Sequence, residues 1–254
     1  MGEITTHQKR SARGPFRAAR MPQIAWTLSA APAAALVMLG PPAGIPSASA
    51  APCADIEVVF ARGTFEPAGI GATGEAFVEA LRSRAGGRSV DAYAVNYPAT
   101  LQFSTAADGV IDAGNRVRDI AANCPNTQMV LGGFSQGAAV IGYITEDVVP
   151  AGFALPQGLT GPMAPEMADH VAAVALFGKP SNGFLNTINA AAPPVTVGPL
   201  YAGKAIELCI GTDPVCSPGG GDMGSHSAYA TNGMATQAAD FAAGLLSGAN
   251  IRPA

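Results

Sequence analysis

The sequence predicts an α/β protein built on a parallel sheet with helices on both faces, and three observations carry that prediction. Five short runs rich in apolar and β-branched residues recur along the chain, segments with helical apolar spacing separate them, and both features stop at clusters of glycine and proline. Alternation of this kind implies βαβ units, whose strands are covered on both faces and therefore read as near-continuous apolar runs.

Taken in order, the first strand run is "IEVVFA" (56–61), and a helix follows it because Gly74, Phe77, Val78 and Leu81 repeat at helical spacing before Gly86-Gly87 end the pattern. "VDAYAVNY" (90–97) and "QMVLGGF" (128–134) are the second and third runs. Between them Ala107, Val110, Ile111, Gly114, Val117 and Ala121 mark a second helix that Pro125 closes. "VAAVALFG" (171–178) and "KAIELCI" (204–210) complete the five, and Met234, Ala238, Phe241 and Leu245 give a last helix with one apolar face. The Pro- and Gly-rich stretches 150–165 and 190–199 read as exposed loops. No internal repeat and no second composition regime appears, so residues 51–254 are expected to form one domain.

Residues 1–50 read as an export signal, cleaved before Ala51. Lys9, Arg10, Arg13, Arg17 and Arg20 precede an apolar stretch from Ile24 to Leu39, which ends in prolines and a small-residue exit at Ala48-Ser49-Ala50. That stretch is shorter than the roughly 20 residues of a spanning helix, and Pro32 interrupts it, so no stable membrane span is expected after cleavage. The expected location is secreted, with retention at the cell envelope left open. Without the leader, nine Lys and Arg face 17 Asp and Glu, a balance that argues against binding a nucleic-acid backbone.

All four cysteines lie beyond the leader, as suits a chain that meets an oxidising compartment. Cys209 and Cys216 bracket a short loop and are expected to pair, which leaves Cys53 for Cys124. No CxxC spacing is present and only two histidines follow the leader, so no metal site is expected.

Ligands of an open parallel sheet sit beyond the carboxyl ends of its strands, and chemistry is sought in the loops there. The third run ends in Gly133-Phe134-Ser135-Gln136-Gly137, a GxSxG pattern between strand and helix. A turn this sharp holds the serine in strained geometry, and the flanking glycines let strand and helix pass without Cβ clashes, which marks Ser135 as a nucleophile. A serine hydroxyl needs a base to take its proton. His170 precedes the fourth run, at the wrong edge of the sheet, whereas His226 lies in "GDMGSHSAY" after the fifth run. Asp213, inside the Cys209–Cys216 loop, is the carboxylate expected to orient His226, with Asp222 as its rival. The order Ser135, Asp213, His226 is the chain order this kind of sheet uses. Oxyanion donors are expected from the backbone N–H of Gln136 and from Thr64 in "ARGTFE", although a threonine after Gly63 is also ordinary turn chemistry.

These motifs resemble those of cutinase-family serine esterases, and within them the secreted cutinase-like proteins of mycobacteria. The resemblance runs from "CADIEVVFARGT" through "VNYPA", "CPNTQMVLGGFSQGA" and "VAAVALFGKPS" to the loop around Asp213 and His226. It implies a compact α/β-hydrolase with a central five-stranded parallel sheet, two disulfides and no full lid. Mapped onto this chain, it implies Ser135 as nucleophile, His226 as base, Asp213 as its orienter and Thr64 with Gln136 as the oxyanion hole. It also implies the pairs Cys53–Cys124 and Cys209–Cys216. Fungal members carry bulky aliphatic residues before the histidine, where "SPGGGDMG" offers little apolar surface; Phe65, Phe184 and Leu185 are the candidates to replace it.

The expected protein is a secreted, cofactor-free, monomeric carboxylic ester hydrolase that acts on short to medium chain esters through an acyl-enzyme. Lipase, phospholipase and thioesterase share the same constellation, and a catalytically idle surface-binding protein is a reading of a different class.

Overall fold

Strands form here where the sequence places apolar side chains on both faces of the backbone, and all of β1 (Ile56–Ala61) is buried. The structure is a computed structural model that describes residues 53–149, 154–189 and 191–248; the leader expected at 1–50 lies outside the described residues. In chain order, β1 is followed by α1 (Gly71–Arg82), β2 (Val90–Ala94), α2 (Ala106–Asn123), β3 (Gln128–Phe134), α3 (Gln136–Thr145), β4 (Val171–Phe177), α4 (Asn182–Ile188), α5 (Pro199–Ala202), β5 (Ala205–Leu208), α6 (Met223–His226) and α7 (Met234–Gly248).

Among the described residues the five strands make one sheet in the order β2-β1-β3-β4-β5, and every neighbouring pair is parallel. Period-two alternation divides the core between the two faces of this sheet. Ile56, Val58 and Phe60 of β1 join Val130, Ala175 and Phe177 against α1 and α7, with Phe77, Val78, Leu81, Ala238 and Ala242 on the helix side. Val59 and Ala61 face the other way with Leu131, Val174 and Leu176, against Ala113, Val117 and Ile120 of α2 and Val140 and Ile141 of α3. Chain direction across the sheet reverses between β1 and β3, so the loops leaving these two strands diverge and open a crevice at their carboxyl ends.

Two strand runs are shorter than the sequence predicts by more than one residue, and both lie at the sheet edges. The second ends at Ala94 instead of residue 97, because the Asn96 N–H bonds to the Asp112 carboxylate of α2 (2.8 Å) and Ala99 takes positive φ, which turns the chain away. The fifth covers Ala205–Leu208 only; Cys209 beyond it is held in the disulfide with Cys216. Both disulfides are those expected, Cys53–Cys124 and Cys209–Cys216. Of the expected loops, residues 154–164 and 191–198 are irregular, while Pro165–His170 forms a 3-10 turn at the amino end of β4. His170 closes that turn, away from the carboxyl ends.

Candidate active site

Three strand ends supply the site. At the end of β3, Ser135 adopts φ 55° and ψ −119°, a backbone conformation that a non-glycine residue holds only when its surroundings impose it. The surroundings here are close-packed. A Cβ at Gly133 would strike the Gly137 carbonyl, and a Cβ at Gly137 would strike the carbonyl of Ala61 in β1. The Ser135 N–H is held by the Phe177 carbonyl of β4 at 2.9 Å, and the hydroxyl makes no capping bond to α3. Strand, turn and helix therefore leave the Ser135 Oγ free to meet a partner above the sheet.

That partner is His226, which ends α6. Its Nε2 lies 2.8 Å from Ser135 Oγ and its Nδ1 lies 2.8 Å from Asp213 Oδ2. Asp213 is fully buried and His226 is 8% exposed, so the connected chain of hydroxyl, imidazole and carboxylate is largely shielded from water. The second carboxylate oxygen of Asp213 accepts the Val215 N–H at 2.8 Å, and Tyr229 donates its hydroxyl to Oδ2 at 2.7 Å. A buried carboxylate left without such donors would be costly. Burial first, and then the bond to Asp213, hold the Tyr229 phenol above its ordinary range, so Tyr229 keeps its proton and donates it. Phe134 covers the imidazole at a centroid distance of 5.0 Å, and Tyr229 meets the ring edge-on at 6.3 Å.

Asp222, the rival carboxylate, does something else. It caps α6, accepting the Gly224 N–H at 2.9 Å on one oxygen and the Ser225 hydroxyl at 2.7 Å on the other. These bonds hold its carboxyl below the ordinary range, with the Ser225 hydroxyl as the largest cause. Thr212 and Ser225 join side chains at 2.7 Å, which ties the loop of Asp213 to the helix of His226.

Thr64 and Gln136 face the same cavity as Ser135 and His226, a space of about 530 Å³. The loop of Thr64 is braced from both sides. Arg62, nearly buried, donates to the carbonyls of Tyr97 (2.7 Å) and Glu66 (2.9 Å), while the Glu66 carboxylate accepts the N–H groups of Gly63 (2.6 Å) and Ala72 (2.9 Å). Gln136 begins α3, where backbone N–H groups have no helical partner, and its side-chain amide is pinned to the Thr100 carbonyl at 3.0 Å. Sequence reasoning missed Arg62, Glu66 and Tyr229. A charged pair flanking "GTF" and an aromatic three residues after His226 were the available signals.

At the mouth the expectation needs correction. Met223, inside the segment read as poor in apolar surface, is 58% exposed and lines the cavity with Phe65 (71%) and Leu101 (62%). Leu185 packs instead into a buried cluster with Ala139 and Val195, although one side of it still reaches the cavity wall.

The cutinase family model matches residues 52–246. A probable carboxylesterase, Culp5, of Mycobacterium tuberculosis is 54% identical over 172 residues, covering 68% of this chain and 96% of that protein. The phospholipase Culp4 of Mycobacterium tuberculosis is 43% identical over 230 residues, covering 91% of this chain and 95% of its own. Among solved structures, a Trichoderma reesei cutinase in complex with a C11Y4 phosphonate inhibitor superposes with TM-score 0.58 at 28% identity, covering 77% of this chain and 78% of its own. The fold is that of an α/β-hydrolase of the cutinase kind, and the family match with its carboxylesterase relatives makes the chain a carboxylic ester hydrolase. The chain belongs to the cutinase family.

Proposed function

We propose that the protein hydrolyses carboxylic esters through a Ser135-His226-Asp213 triad, with Thr64 and Gln136 as the oxyanion hole. The observation that carries this reading is the pair of 2.8 Å contacts that His226 makes, Nε2 to Ser135 Oγ and Nδ1 to Asp213 Oδ2. His226 takes the Ser135 proton as Oγ adds to the ester carbonyl, and Asp213 stabilises the imidazolium that results. The carbonyl oxygen becomes an oxyanion, which accepts hydrogen bonds donated by the Gln136 N–H at the start of α3 and by the N–H and hydroxyl of Thr64. His226 then returns the proton to the departing alkoxide. Water, deprotonated by His226, cleaves the acyl-Ser135 bond and regenerates the hydroxyl.

Short to medium acyl esters are the expected substrates. A phospholipid is the second reading, favoured by the likeness to the phospholipase Culp4 and by the apolar rim of Phe65, Leu101 and Met223. In this reading residues 1–50 are an export signal, removed before Ala51, that delivers the enzyme to the oxidising side where both disulfides form; the N-terminal sequence of protein recovered from culture medium checks it.

The experiment is labelling with a fluorophosphonate probe, run beside turnover of p-nitrophenyl esters. Wild type is expected to label and to turn over; Ser135→Ala is expected to do neither while keeping its fold, with a loss on the order of 10⁶ in kcat. Labelling that survives in Ser135→Ala overturns the assignment.

A further inference from the structure

A second cavity, about 370 Å³, lies against the catalytic one, and no step of the proposed chemistry uses it. The two share walls: Phe103, Ala106, Tyr143, Asn189 and Ala192 line both. Beyond those shared residues the second cavity is bounded by Ala107 and Val110 of α2 and by Leu155 and Leu159 of the irregular segment 154–162, none of which reaches the catalytic cavity. That segment is seated on α2, since Gly158, at φ 95°, comes so close to Ile111 that a Cβ there would lie 2.9 Å from its Cδ1.

Chemistry of the walls selects the occupant. Polar groups that reach the cavity already have protein partners: the Tyr143 hydroxyl donates to the Pro193 carbonyl (2.7 Å), the Glu146 carboxylate accepts the Thr196 N–H (3.0 Å), and the Asn189 side-chain carbonyl accepts the Ala191 N–H (3.2 Å). Ser104 is exposed at the edge. An anionic group entering would face the Glu146 carboxylate. An aliphatic tail meets alanine, valine, leucine and proline and gains their contacts.

We propose, building on Ser135 as the nucleophile, that this cavity holds the distal part of a long acyl chain whose ester carbonyl sits at Ser135. The site then serves long-chain esters as well as short ones. Chains too short to pass the shared wall of Phe103 and Tyr143 are held by the catalytic cavity alone. Longer ones add up to about fourfold in kcat/KM for each methylene that reaches the second cavity.

Single-chain p-nitrophenyl esters from C2 to C16 test this with the full-length protein and the variants Ala107→Phe and Leu159→Trp, which fill the second cavity from α2 and from the segment 154–162. In wild type, kcat/KM rises again between C8 and C16. In both variants C4 turnover and the labelling rate with a short-chain fluorophosphonate stay within about twofold of wild type, while C12 to C16 turnover falls at least tenfold. If one variant fails to label because it does not fold, the other, introduced from a different element, still decides. A flat wild-type profile beyond C8 overturns the proposal, and so do variants that lower C4 and C16 together or change neither. Variants that lose diacyl lipids but keep C16 single-chain esters assign the cavity to a second chain and also overturn it. Absence of all ester turnover and of all labelling in wild type is a different signature, and it removes the Ser135 reading itself.

Discussion

Asp213 and Asp222 both accept hydrogen bonds close to His226, and their partners separate their roles. Asp213 is buried against the imidazole and is fed by Val215 and Tyr229, whereas Asp222 holds the first turn of α6 from the surface. Asp213→Asn is therefore expected to lower kcat by up to about 10⁴-fold, because an amide leaves His226 with the wrong tautomer. Asp222→Asn keeps the capping acceptor and should leave kcat/KM within about twofold. Steady-state kinetics of the two variants side by side checks both. Tyr229→Phe removes a donor to a buried charge, which costs about 1.5 to 3 kcal/mol of stability by denaturant titration. It should also lower kcat about tenfold while leaving the KM for a short ester nearly unchanged, since Asp213 Oδ2 then has one donor fewer; a purely structural role would leave the kcat of the folded fraction unmoved. That Ser135, His226 and Asp213 come together was legible from sequence because a sharp turn, a lone histidine beyond the last strand and a cysteine-bracketed aspartate each carry a chemical reason. Tyr229 was not, because a buried aromatic looks the same whether or not its hydroxyl has a partner.

At the scale of elements, the site depends on how loops leave the strands. β1, β3 and β4 are interior strands whose apolar runs coincide with hydrogen-bonded backbone, and sequence spacing places them to within a residue. Edge strands β2 and β5 are overrun by the same reasoning, because apolar residues past an edge strand can be buried by loops and side chains instead of by the ladder. α5 and α6 have four residues each, less than the two turns over which periodicity can be seen, although α6 carries His226. The loop between β5 and α6 is held by the Cys209–Cys216 disulfide, with Asp213 inside it. Replacing both cysteines with serine is expected to cost about 2.5 kcal/mol by the chain-entropy model. It should also lower kcat while leaving the KM for short esters nearly unchanged, because the disturbed group is the carboxylate behind His226 and not the cavity wall. Thermal denaturation and kinetics under non-reducing conditions read both numbers. Loss of stability with kcat intact would show that Val215 and Tyr229 hold Asp213 without the disulfide's help.

Over the whole molecule, acidic residues outnumber basic ones beyond residue 50, 17 to nine, so the protein is not drawn to anionic surfaces by charge, and any attachment to lipid must come from apolar contact. Among the described residues no helix is long and apolar enough to cross a membrane. Apolar contact is available where Phe65, Leu101 and Met223 stand exposed around the cavity of Ser135, on two loops and the first residue of α6, which meet only in the folded chain, and that is why residue order concealed the patch. Phe65 is held at φ 66°, with its N–H bonded to the Ala99 carbonyl at 2.8 Å, so its ring is presented by strained backbone beside Thr64. Each of these side chains contributes on the order of 1.5 to 3 kcal/mol if fully buried, and partial insertion of all three exceeds the 1.4 kcal/mol that corresponds to a tenfold change in adsorption. Replacing them together by Phe65→Asn, Leu101→Gln and Met223→Gln keeps a residue at 65 that tolerates positive φ. The triple variant should hydrolyse a soluble C4 ester within about threefold of wild type and lose at least tenfold on emulsified triglyceride or phospholipid vesicles. Turnover of emulsion and soluble ester, measured on the same preparation, gives the ratio. Equal loss on both substrates would place the three residues in the reaction at Ser135; equal retention would mean that substrate reaches the site from solution and not from a surface.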